Sequence, residues 1–143
     1  MFDCIVVEPV RPEQYYRLPY RHYAGDCGYD LFVSENMVIP PGEYRDVPTN
    51  IKCQLPAMSW GFIVGRSSAF RKQGLMVQPG IIDNGYRGEL FSAAYNTNSH
   101  NVALYEGDRV AQLIIIPLCT PPVSLGAVSP SDRGDAGFGS TGV

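Results

Sequence analysis

The sequence predicts an all-β domain with one short helix and a glycine-rich C-terminal arm. The first observation is the spread of 12 prolines and 15 glycines along 143 residues, which cuts the chain into short segments. Proline ends helices, and glycine supplies the backbone conformations of turns. The second observation is that the apolar runs between these residues are short, rich in β-branched side chains and partly alternating. Many short strands separated by turns are typical of a β-barrel or a β-sandwich.

The first half of the chain consists of strand-like segments. CIVVEPV is a β-branched run that ends in proline, and YDLFVSENMVIPPGEYRDVPTNIKCQLP contains several extended pieces with PPGE as a turn. SWGFIVG places Trp60, Phe62 and Val64 on one side of the chain and the intervening residues on the other, as a strand does. These segments supply the strands of the predicted β domain.

The second half contains the one predicted helix and two further strand regions. The helix is SSAFRKQG, about two turns long, with Ser67 or Ser68 placed to cap its start and Gly74 placed to end it. LMVQPGIIDNGYRGELFSAAYN contains two strand-like runs around DNGYRG, which predicts a β-hairpin because Asn-Gly readily takes positive φ. NVALYEGDRVAQLIIIPL ends in a continuous apolar run, which is typical of a buried strand.

The chain divides into one domain, residues 1–128, and a flexible C-terminal arm, residues 129–143. The closing segment RGDAGFGSTGV has four glycines in eleven residues. Glycine loses more backbone entropy on ordering than any other residue. Such a segment is either plain terminal disorder or an arm that becomes ordered over a ligand.

Composition and charge exclude several classes of function. The net charge is −3 and the pI about 5.2, so no basic field is present to bind a nucleic acid. The start of the chain lacks a basic signal region, and no apolar run approaches the ~20 residues that cross a membrane. The cysteines form no CxxC pair, which argues against a zinc cluster. We expect a cytoplasmic, intracellular protein with free thiols that behave as small buried or half-buried apolar residues.

Four further segments contain the residue types of an active site. They are AGDCGYDL from Ala24, GRSSAF from Gly65, GIIDNGYRGEL from Gly80 and GDRVAQLI from Gly107. Each alone has an ordinary structural explanation, such as a turn, a helix cap or an ion pair. Together with the C-terminal arm, and in this order, they resemble the five motifs of the trimeric dUTPase family. The resemblance covers nearly the whole chain.

This resemblance implies a fold, an assembly and a reaction. The fold is a distorted jelly-roll or β-barrel with one short helix and a flexible C-terminal arm. The assembly is a homotrimer with shared active sites, and Mg²⁺ is the cofactor. The reaction is hydrolysis of dUTP to dUMP and pyrophosphate by in-line attack of water on the α-phosphate. It keeps uracil out of DNA and supplies dUMP for thymidylate synthesis.

The resemblance also assigns roles within the third motif. Asp83 is the catalytic carboxylate, which orients and deprotonates the attacking water. Tyr86 packs under the deoxyribose and leaves no room for a 2′-hydroxyl, which excludes UTP. The backbone around Gly80, Ile81 and Tyr86 pairs with the edge of uracil, so that a wrong base leaves buried polar groups unpaired.

Phosphate binding is assigned to motifs two and four, and metal binding to motif one. By resemblance, Arg66, Ser67 and Ser68 bind phosphate oxygens at the start of the short helix. Gln112 binds the α-phosphate and its water network. Asp30 acts through water on Mg²⁺, which is held mainly by the three phosphates of the substrate.

The arm supplies the fifth motif. Arg133 would neutralise the γ-phosphate, and Phe138 would stack on uracil. Gly139, Ser140 and Thr141 would wrap the β- and γ-phosphates with N–H and hydroxyl donors. The arm is therefore expected to be a lid that becomes ordered when substrate binds and expels water from the site.

Two departures from the family pattern leave alternatives open. Gly65 stands where the family usually has proline and Ser68 where it often has glycine, as in the related dCTP deaminases. A deaminase requires a glutamate at about Ala93, however, and alanine cannot transfer a proton. A partner-binding protein on the same scaffold is the other alternative, although its motifs should be eroded.

Several other polar residues are not assigned to the site. Arg109 is expected to form a structural or intersubunit ion pair. Arg87 is expected at the surface or at an interface. His22 and His100 lie in no catalytic pattern and are expected on the surface or in loops.

Overall fold

Strands and one helix form within residues 4–139, which are the residues that the computed structural model of the protein describes. The strands are β1 Val6–Pro9, β2 Gly28–Leu31, β3 Met37–Ile39, β4 Tyr44–Pro48, β5 Ile51–Gln54, β6 Ser59–Gly65, β7 Leu75–Gln78, β8 Gly80–Ile82, β9 Phe91–Asn96, β10 Val102–Leu104 and β11 Ala111–Pro117. The helix is α1, Ser67–Gln73. The predicted all-β class with one short helix is confirmed.

The strands form antiparallel sheets. A four-stranded sheet has the order β2-β11-β6-β8, and a three-stranded sheet has the order β4-β9-β7. Two further pairs join β1 to β5 and β10 to β3. The long central pair of β6 and β11 runs in register from Ser59 opposite Pro117 to Gly65 opposite Ala111.

One apolar cluster fills the interior. It includes Leu31, Ile63 and Leu113 from the four-stranded sheet and Leu75 and Ala94 from the three-stranded sheet, all at most 2% exposed. The two larger sheets therefore share one core, as expected of a barrel or sandwich. The alternation predicted for SWGFIVG is confirmed, because Gly61 and Ile63 are buried while Trp60, Phe62 and Val64 are only half-buried.

Much of the outer face of the four-stranded sheet is also apolar, although Asp30 and Gln112, opposite each other on β2 and β11, lie on it too. Alternate residues of β6 and β11 lie on this face, and Ile81 of β8 is 69% exposed beside them. Their apolar outward residues are Trp60, Phe62, Val64, Ile114 and Ile116. A sheet that faces water normally alternates apolar with polar residues, so this two-sided apolar pattern is typical of a covered sheet.

The predicted β-hairpin around DNGYRG is wrong. Strand β8 pairs with β6, whereas β9 pairs with β4 and β7 in the other sheet. The connection between them, residues 83–90, is called here the 83–90 loop. Neither Asn84 nor Gly85 takes positive φ. The Asn84 side chain instead donates to the carbonyls of Pro56 and Ser59, and Leu90 N–H donates to Ile51 O at 2.9 Å. These contacts direct the chain into the second sheet.

The predicted start of the helix also needs correction. The N-cap is Arg66, and neither Ser67 nor Ser68 caps the helix with its side chain. Arg66 N–H donates to Val110 O at 3.0 Å, which keeps this residue extended as the chain leaves β6. The helix therefore begins at Ser67, earlier than a cap at Ser67 or Ser68 would place it, and the serine hydroxyls have no capping role. Gly74 ends it as predicted, with φ of 65°.

The cysteines are free thiols, as predicted, but only one is buried. Cys53 lies in the core, whereas Cys4, Cys27 and Cys119 are exposed, so the expectation of four buried or half-buried thiols is wrong. Burial raises the pKa of the Cys53 thiol to about 11. The other three thiols occur in segments outside the paired strands.

The described part of the C-terminal segment, residues 118–139, contains no helix or strand. It carries Val123, Leu125 and Val128 almost completely exposed. Leu118 N–H, which donates to Met58 O at 3.0 Å, connects the start of the segment to the domain. Among the described residues, no helix has the length and apolar character needed to cross a membrane.

Candidate active site

A cavity of about 540 Å³ lies where β6 ends and α1 begins. Strands β2 and β11 form its floor. Its lining is polar and includes side chains of positive and of negative charge. The lining residues are Tyr20, His22, Asp26, Cys27, Gly28, Asp30, Arg66, Ser67, Arg109 and Gln112. Four of the residues predicted to bind phosphate or metal, Asp30, Arg66, Ser67 and Gln112, therefore meet in one place.

Asp30 is held between two guanidinium groups. Its Oδ1 lies 3.1 Å from Arg66 Nε, and its Oδ2 lies 3.1 Å from Arg109 Nη1. Arg66 Nη1 also donates to Arg109 O at 3.0 Å. The expected ion pair of Arg109 is thus formed within the chain. The aspartate, with its side chain 18% exposed, fixes both arginines at the cavity wall.

Gln112 lies across Gly28 in the same cavity. Its Nε2 donates to Gly65 O at 3.2 Å. A Cβ added to Gly28 would stand 2.0 Å from Gln112 Oε1, so only glycine leaves room for this side chain. The amide group is thus positioned beside the two arginines by a carbonyl on one side and a glycine on the other.

The two predicted phosphate-binding serines face different spaces. Ser67 lines the main cavity, whereas Ser68 lines a second depression of about 480 Å³ together with Lys72 and Arg109. Arg66 borders both. The helix geometry explains the difference, because consecutive residues of a helix point in directions about 100° apart.

His22 is exposed, as expected, and it also lines the cavity, which the sequence did not predict. Its Nδ1 lies 3.2 Å from the Tyr20 hydroxyl, and its ring makes an edge contact with Tyr23 at 4.4 Å between centroids. The backbones of Tyr20 and Asp30 form an antiparallel bridge, which folds the intervening segment over the cavity. The only feature of the sequence that could have placed His22 at the cavity is that its segment shortly precedes Asp30 in the chain.

Asp83 does not lie in this cavity. Ile82, the residue before it, pairs with Gly61 near the start of β6, while the cavity lies beyond Gly65 at the other end. At about 3.3 Å per strand residue, Gly61 and Gly65 are roughly 13 Å apart. Asp83 and Tyr86 are exposed on the 83–90 loop. Within one copy of the chain, the predicted catalytic carboxylate therefore lies away from the predicted phosphate site.

Strand β8, which carries Gly80 and Ile81, is an edge strand. It pairs with β6 on one side and is the last strand of its sheet. An edge strand presents N–H and C=O groups that the ladder does not use. Such groups match the predicted pairing of this backbone with a nucleobase edge.

The predicted residues of the arm lie outside the cavity. Arg133 and Phe138 are exposed, and Phe138 takes a left-handed φ of 46°. Gly139 follows with φ of 90°. Ser140 and Thr141 lie outside the described residues. The described part of the arm leaves the cavity open to solvent.

The oxygen atoms facing the cavity fit a hydrated magnesium ion. Asp30 uses each carboxylate oxygen for one guanidinium contact. A carboxylate has about four lone-pair sites, so further acceptor positions remain for metal-bound water. Gln112 Oε1 adds a second hard oxygen. Mg²⁺ prefers oxygen ligands and usually keeps several waters.

Comparisons with known proteins identify the family. The dUTPase family model matches residues 14–142. The deoxyuridine 5′-triphosphate nucleotidohydrolase of Leifsonia xyli is 40% identical over 132 residues, covering 88% of this chain and 86% of that protein. That of Paramecium bursaria Chlorella virus 1 is 39% identical over 126 residues, with 87% and 89% covered. The Pol polyprotein of an ovine maedi visna related virus is 40% identical over 121 residues. This match covers 84% of the chain but only 11% of the polyprotein.

Solved structures give the same result. The dUTPase of Staphylococcus bacteriophage 80alpha with dUpNHpp superimposes with a TM-score of 0.90 at 27% identity, covering 99% of this chain and 100% of that one. A variant dUTPase of the S. aureus phage phi11, described with a structural Mg(II) ion, gives a TM-score of 0.79 at 25% identity. This second match covers 87% of this chain and 97% of that one. From the matched family model, these relatives and the shared fold, we conclude that the chain belongs to the dUTPase family.

Proposed function

We propose that the protein hydrolyses dUTP to dUMP and pyrophosphate, keeping uracil out of DNA and supplying dUMP for thymidylate synthesis. The observation that carries the proposal is the cluster of anion-binding groups in the cavity. Arg66 and Arg109 stand beside the Ser67 hydroxyl and the Gln112 amide. Guanidinium groups bind phosphate oxygens in fixed geometry, and hydroxyl and amide groups add neutral donors.

In this mechanism, Arg66, Ser67 and Ser68 bind phosphate oxygens and Gln112 orients the α-phosphate. Asp30 keeps Arg66 in place through the ion pair of 3.1 Å and accepts hydrogen bonds from metal-bound water. Mg²⁺, when bound by the substrate phosphates, neutralises part of their charge. Phosphoryl transfer requires little covalent chemistry from the protein, so positioning and charge compensation supply most of the rate enhancement.

Asp83 accepts the proton of the attacking water. The water oxygen forms a bond to the α-phosphorus, the bond from that phosphorus to the α,β-bridging oxygen breaks, and pyrophosphate leaves with the bonding electron pair. Tyr86 packs under the deoxyribose and disfavours a 2′-hydroxyl. The unused backbone edge of β8 around Gly80 and Ile81 pairs with uracil. The exposure of Asp83 and Tyr86 supports these roles, because a partner copy can reach them.

The arm closes the site. Arg133 compensates charge on the γ-phosphate, Phe138 stacks on uracil, and Gly139, Ser140 and Thr141 surround the β- and γ-phosphates. The exposed Phe138 ring and the paired positive φ values of Phe138 and Gly139 support an arm that finds its contacts elsewhere. Ordering the arm over substrate would exclude water from the reaction.

We further propose a homotrimer with shared active sites, because the two parts of the proposed site lie at opposite ends of β6. The apolar outer face of the four-stranded sheet supports this assembly, as do the exposed Val123, Leu125 and Val128 of the C-terminal segment. Contiguous exposed apolar surface marks interaction sites. We also propose an intracellular location, with no nucleic acid or membrane as partner.

The alternative of a dCTP deaminase is not favoured by the geometry. Ala93, at the position of the required glutamate, lies on β9 beside Tyr44, Met76 and Tyr95. This outer face of the three-stranded sheet contributes nothing to the main cavity. No proton-transfer group is present at that position.

The proposal is tested by incubating the purified protein with dUTP, dCTP, dTTP and UTP in the presence of Mg²⁺ and following products by chromatography. We expect dUTP alone to yield dUMP and pyrophosphate. Asp83→Asn should lower kcat by about 100-fold or more, because general-base assistance contributes about 10²–10⁴-fold. A chain truncated before Arg133 should lose most of its activity.

Asp46→Asn is the matched control, since Asp46 is an exposed aspartate of β4. It should leave kcat within about twofold of the unchanged protein, as surface substitutions usually have small effects. Deamination of dCTP would contradict the proposed reaction. Binding of dUTP without turnover would indicate a nucleotide-binding module.

A further inference from the structure

Glu89 is a buried carboxylate that the proposed mechanism does not use. Its side chain is 8% exposed and lies at the end of the 83–90 loop. Arg11 contacts both of its oxygens, Nη1 to Oε1 at 2.9 Å and Nη2 to Oε2 at 3.1 Å. The hydrogen bond to Glu89 raises the pKa of Arg11. A two-pronged guanidinium contact fixes direction as well as distance.

Asn50 completes this contact from the other side. Its backbone N–H donates to Glu89 Oε2 at 2.9 Å. Its side chain accepts from Arg11 N–H at 2.8 Å and donates to Arg11 O at 3.0 Å. Asn50 is fully buried and has a left-handed φ of 58°. Arg11, Asn50 and Glu89 thus form a closed set of contacts, called here the Glu89 bracket.

The Glu89 bracket is connected to Tyr86. The Tyr86 hydroxyl donates to Glu89 O at 2.8 Å, and Tyr86 N–H donates to Asp83 O at 3.0 Å. The tyrosine ring crosses over Gly88, where an added Cβ would lie 2.3 Å from the hydroxyl. The ring orientation therefore depends on where the Glu89 backbone is held.

We propose that the Glu89 bracket is a specificity device: Arg11 and Asn50 position Tyr86 through Glu89 and so set the preference for a deoxyribose over a ribose nucleotide. This inference rests on the proposed function, in which Tyr86 packs under the sugar. Arg11 and Glu89 are positioning residues, because they act through Tyr86 and contact no substrate themselves. A Tyr86 ring held in one position leaves no room for the 2′-hydroxyl of a ribose, whereas a ring that can move away accommodates it.

The test compares Arg11→Met with Arg45→Met. Arg45 is the matched control, because its side chain is 42% exposed against 38% for Arg11 and it also pairs with a glutamate, Glu43. We expect Arg11→Met to lower the ratio of kcat/KM for dUTP to that for UTP by about tenfold, within the usual range of coupling between contacting residues. Arg45→Met should leave the ratio unchanged. Arg11→Lys keeps the positive charge but cannot make the two-pronged guanidinium contact, so it should give an intermediate ratio.

A double-mutant cycle separates positioning from general destabilisation. In a Tyr86→Phe background the hydroxyl link is absent, so Arg11→Met should change the ratio by less than about twofold. Equal losses for dUTP and UTP, with the ratio unchanged in both Arg11→Met and Arg11→Lys, would show that the bracket is only structural.

Hydrogen exchange provides a readout that does not depend on activity. We expect the amide hydrogens of the 83–90 loop to exchange about tenfold faster in Arg11→Met than in Arg45→Met, because local opening there loses its restraint. Unchanged exchange would overturn the inference. A protein that hydrolyses no dUTP would contradict the proposed function, and the exchange measurement would still decide whether Arg11 positions the loop.

Discussion

At the scale of single residues, Gln112 keeps its position because Gly28 has no side chain. The Oε1 atom occupies the space in which a Cβ of residue 28 would stand. The backbone of Gly28 does not have positive φ, so its conformation permits alanine. The glycine is thus required by the neighbouring side chain and not by the turn preferences that glycine usually indicates.

Gly28→Ala should therefore lower the activity while changing the stability little. The added methyl group would displace the end of a flexible side chain, which costs about 1 kcal/mol or less of unfolding free energy. Displacing Gln112 should lower kcat/KM for dUTP by about 10- to 100-fold, since misplaced positioning groups cost rate steeply. Gly25→Ala is the control, because nothing lies within 4 Å of its added Cβ. Steady-state kinetics and urea unfolding of both variants provide the measurement, and an active Gly28→Ala would remove Gln112 from the site.

At the scale of elements, α1 is short and depends on its C-terminal contacts. Gly74 takes φ of 65°, and its N–H donates to Phe70 O at 2.9 Å. Asn98 Nδ2 donates to Gln73 O at 2.7 Å, which satisfies a further carbonyl of the last turn. A helix of two turns is not stable alone, so these contacts and the buried Ala69 hold it against the domain.

Gly74→Ala should destabilise the protein by about 1–2 kcal/mol, because it combines a left-handed backbone with a Cβ against Asn98. The expected change is a lower midpoint in urea unfolding. Arg71→Ala, at a basic position in the last turn of the same helix, should change the unfolding free energy by less than about 0.5 kcal/mol. A Gly74→Ala protein as stable as the unchanged chain would contradict the importance of this cap.

The individual strands and the helix were predicted well, but the pairing of the strands into sheets was not. Periodicity identified β6 and the apolar run of β11, because alternation and burial are local properties of a strand. It could not assign β8 and β9 to different sheets, since that choice depends on contacts of Asn84 and Leu90 with distant carbonyls. Asp30, Arg66 and Gln112, which the motifs assign to one site, line one cavity, and their roles stay predictions. His22 was missed because its place in the cavity follows from the bridge between Tyr20 and Asp30.

At the scale of the whole molecule, the four-stranded sheet carries apolar residues on both faces, and the chain supplies a core for only one of them. Ile116 lies on the outer face near the end of β11, opposite Trp60. Burying apolar surface contributes about 25 cal/mol per Å², so a face of this kind favours association. The proposed trimer would cover it.

Ile116→Asp should therefore disrupt assembly, because a charged side chain in a covered apolar interface is left without a partner. Sedimentation is expected to give three copies for the unchanged protein and mainly monomer for the variant. Val38→Asp is the matched control, because Val38 is an exposed strand residue, 50% accessible, in the β10-β3 pair. It should remain trimeric. A monomeric unchanged protein that hydrolyses dUTP would contradict the shared site.

The placement of Asp83 and Arg66 at opposite ends of β6 has an evolutionary consequence. On the proposed assembly, no copy possesses a complete catalytic centre, so selection for activity acts on contact surfaces as strongly as on the reacting groups. Drift in an interface residue would then be as harmful as the loss of the catalytic carboxylate. Mixed assemblies would also let two differently damaged alleles restore one another, since an intact carboxylate from one copy can meet intact arginines from its neighbour.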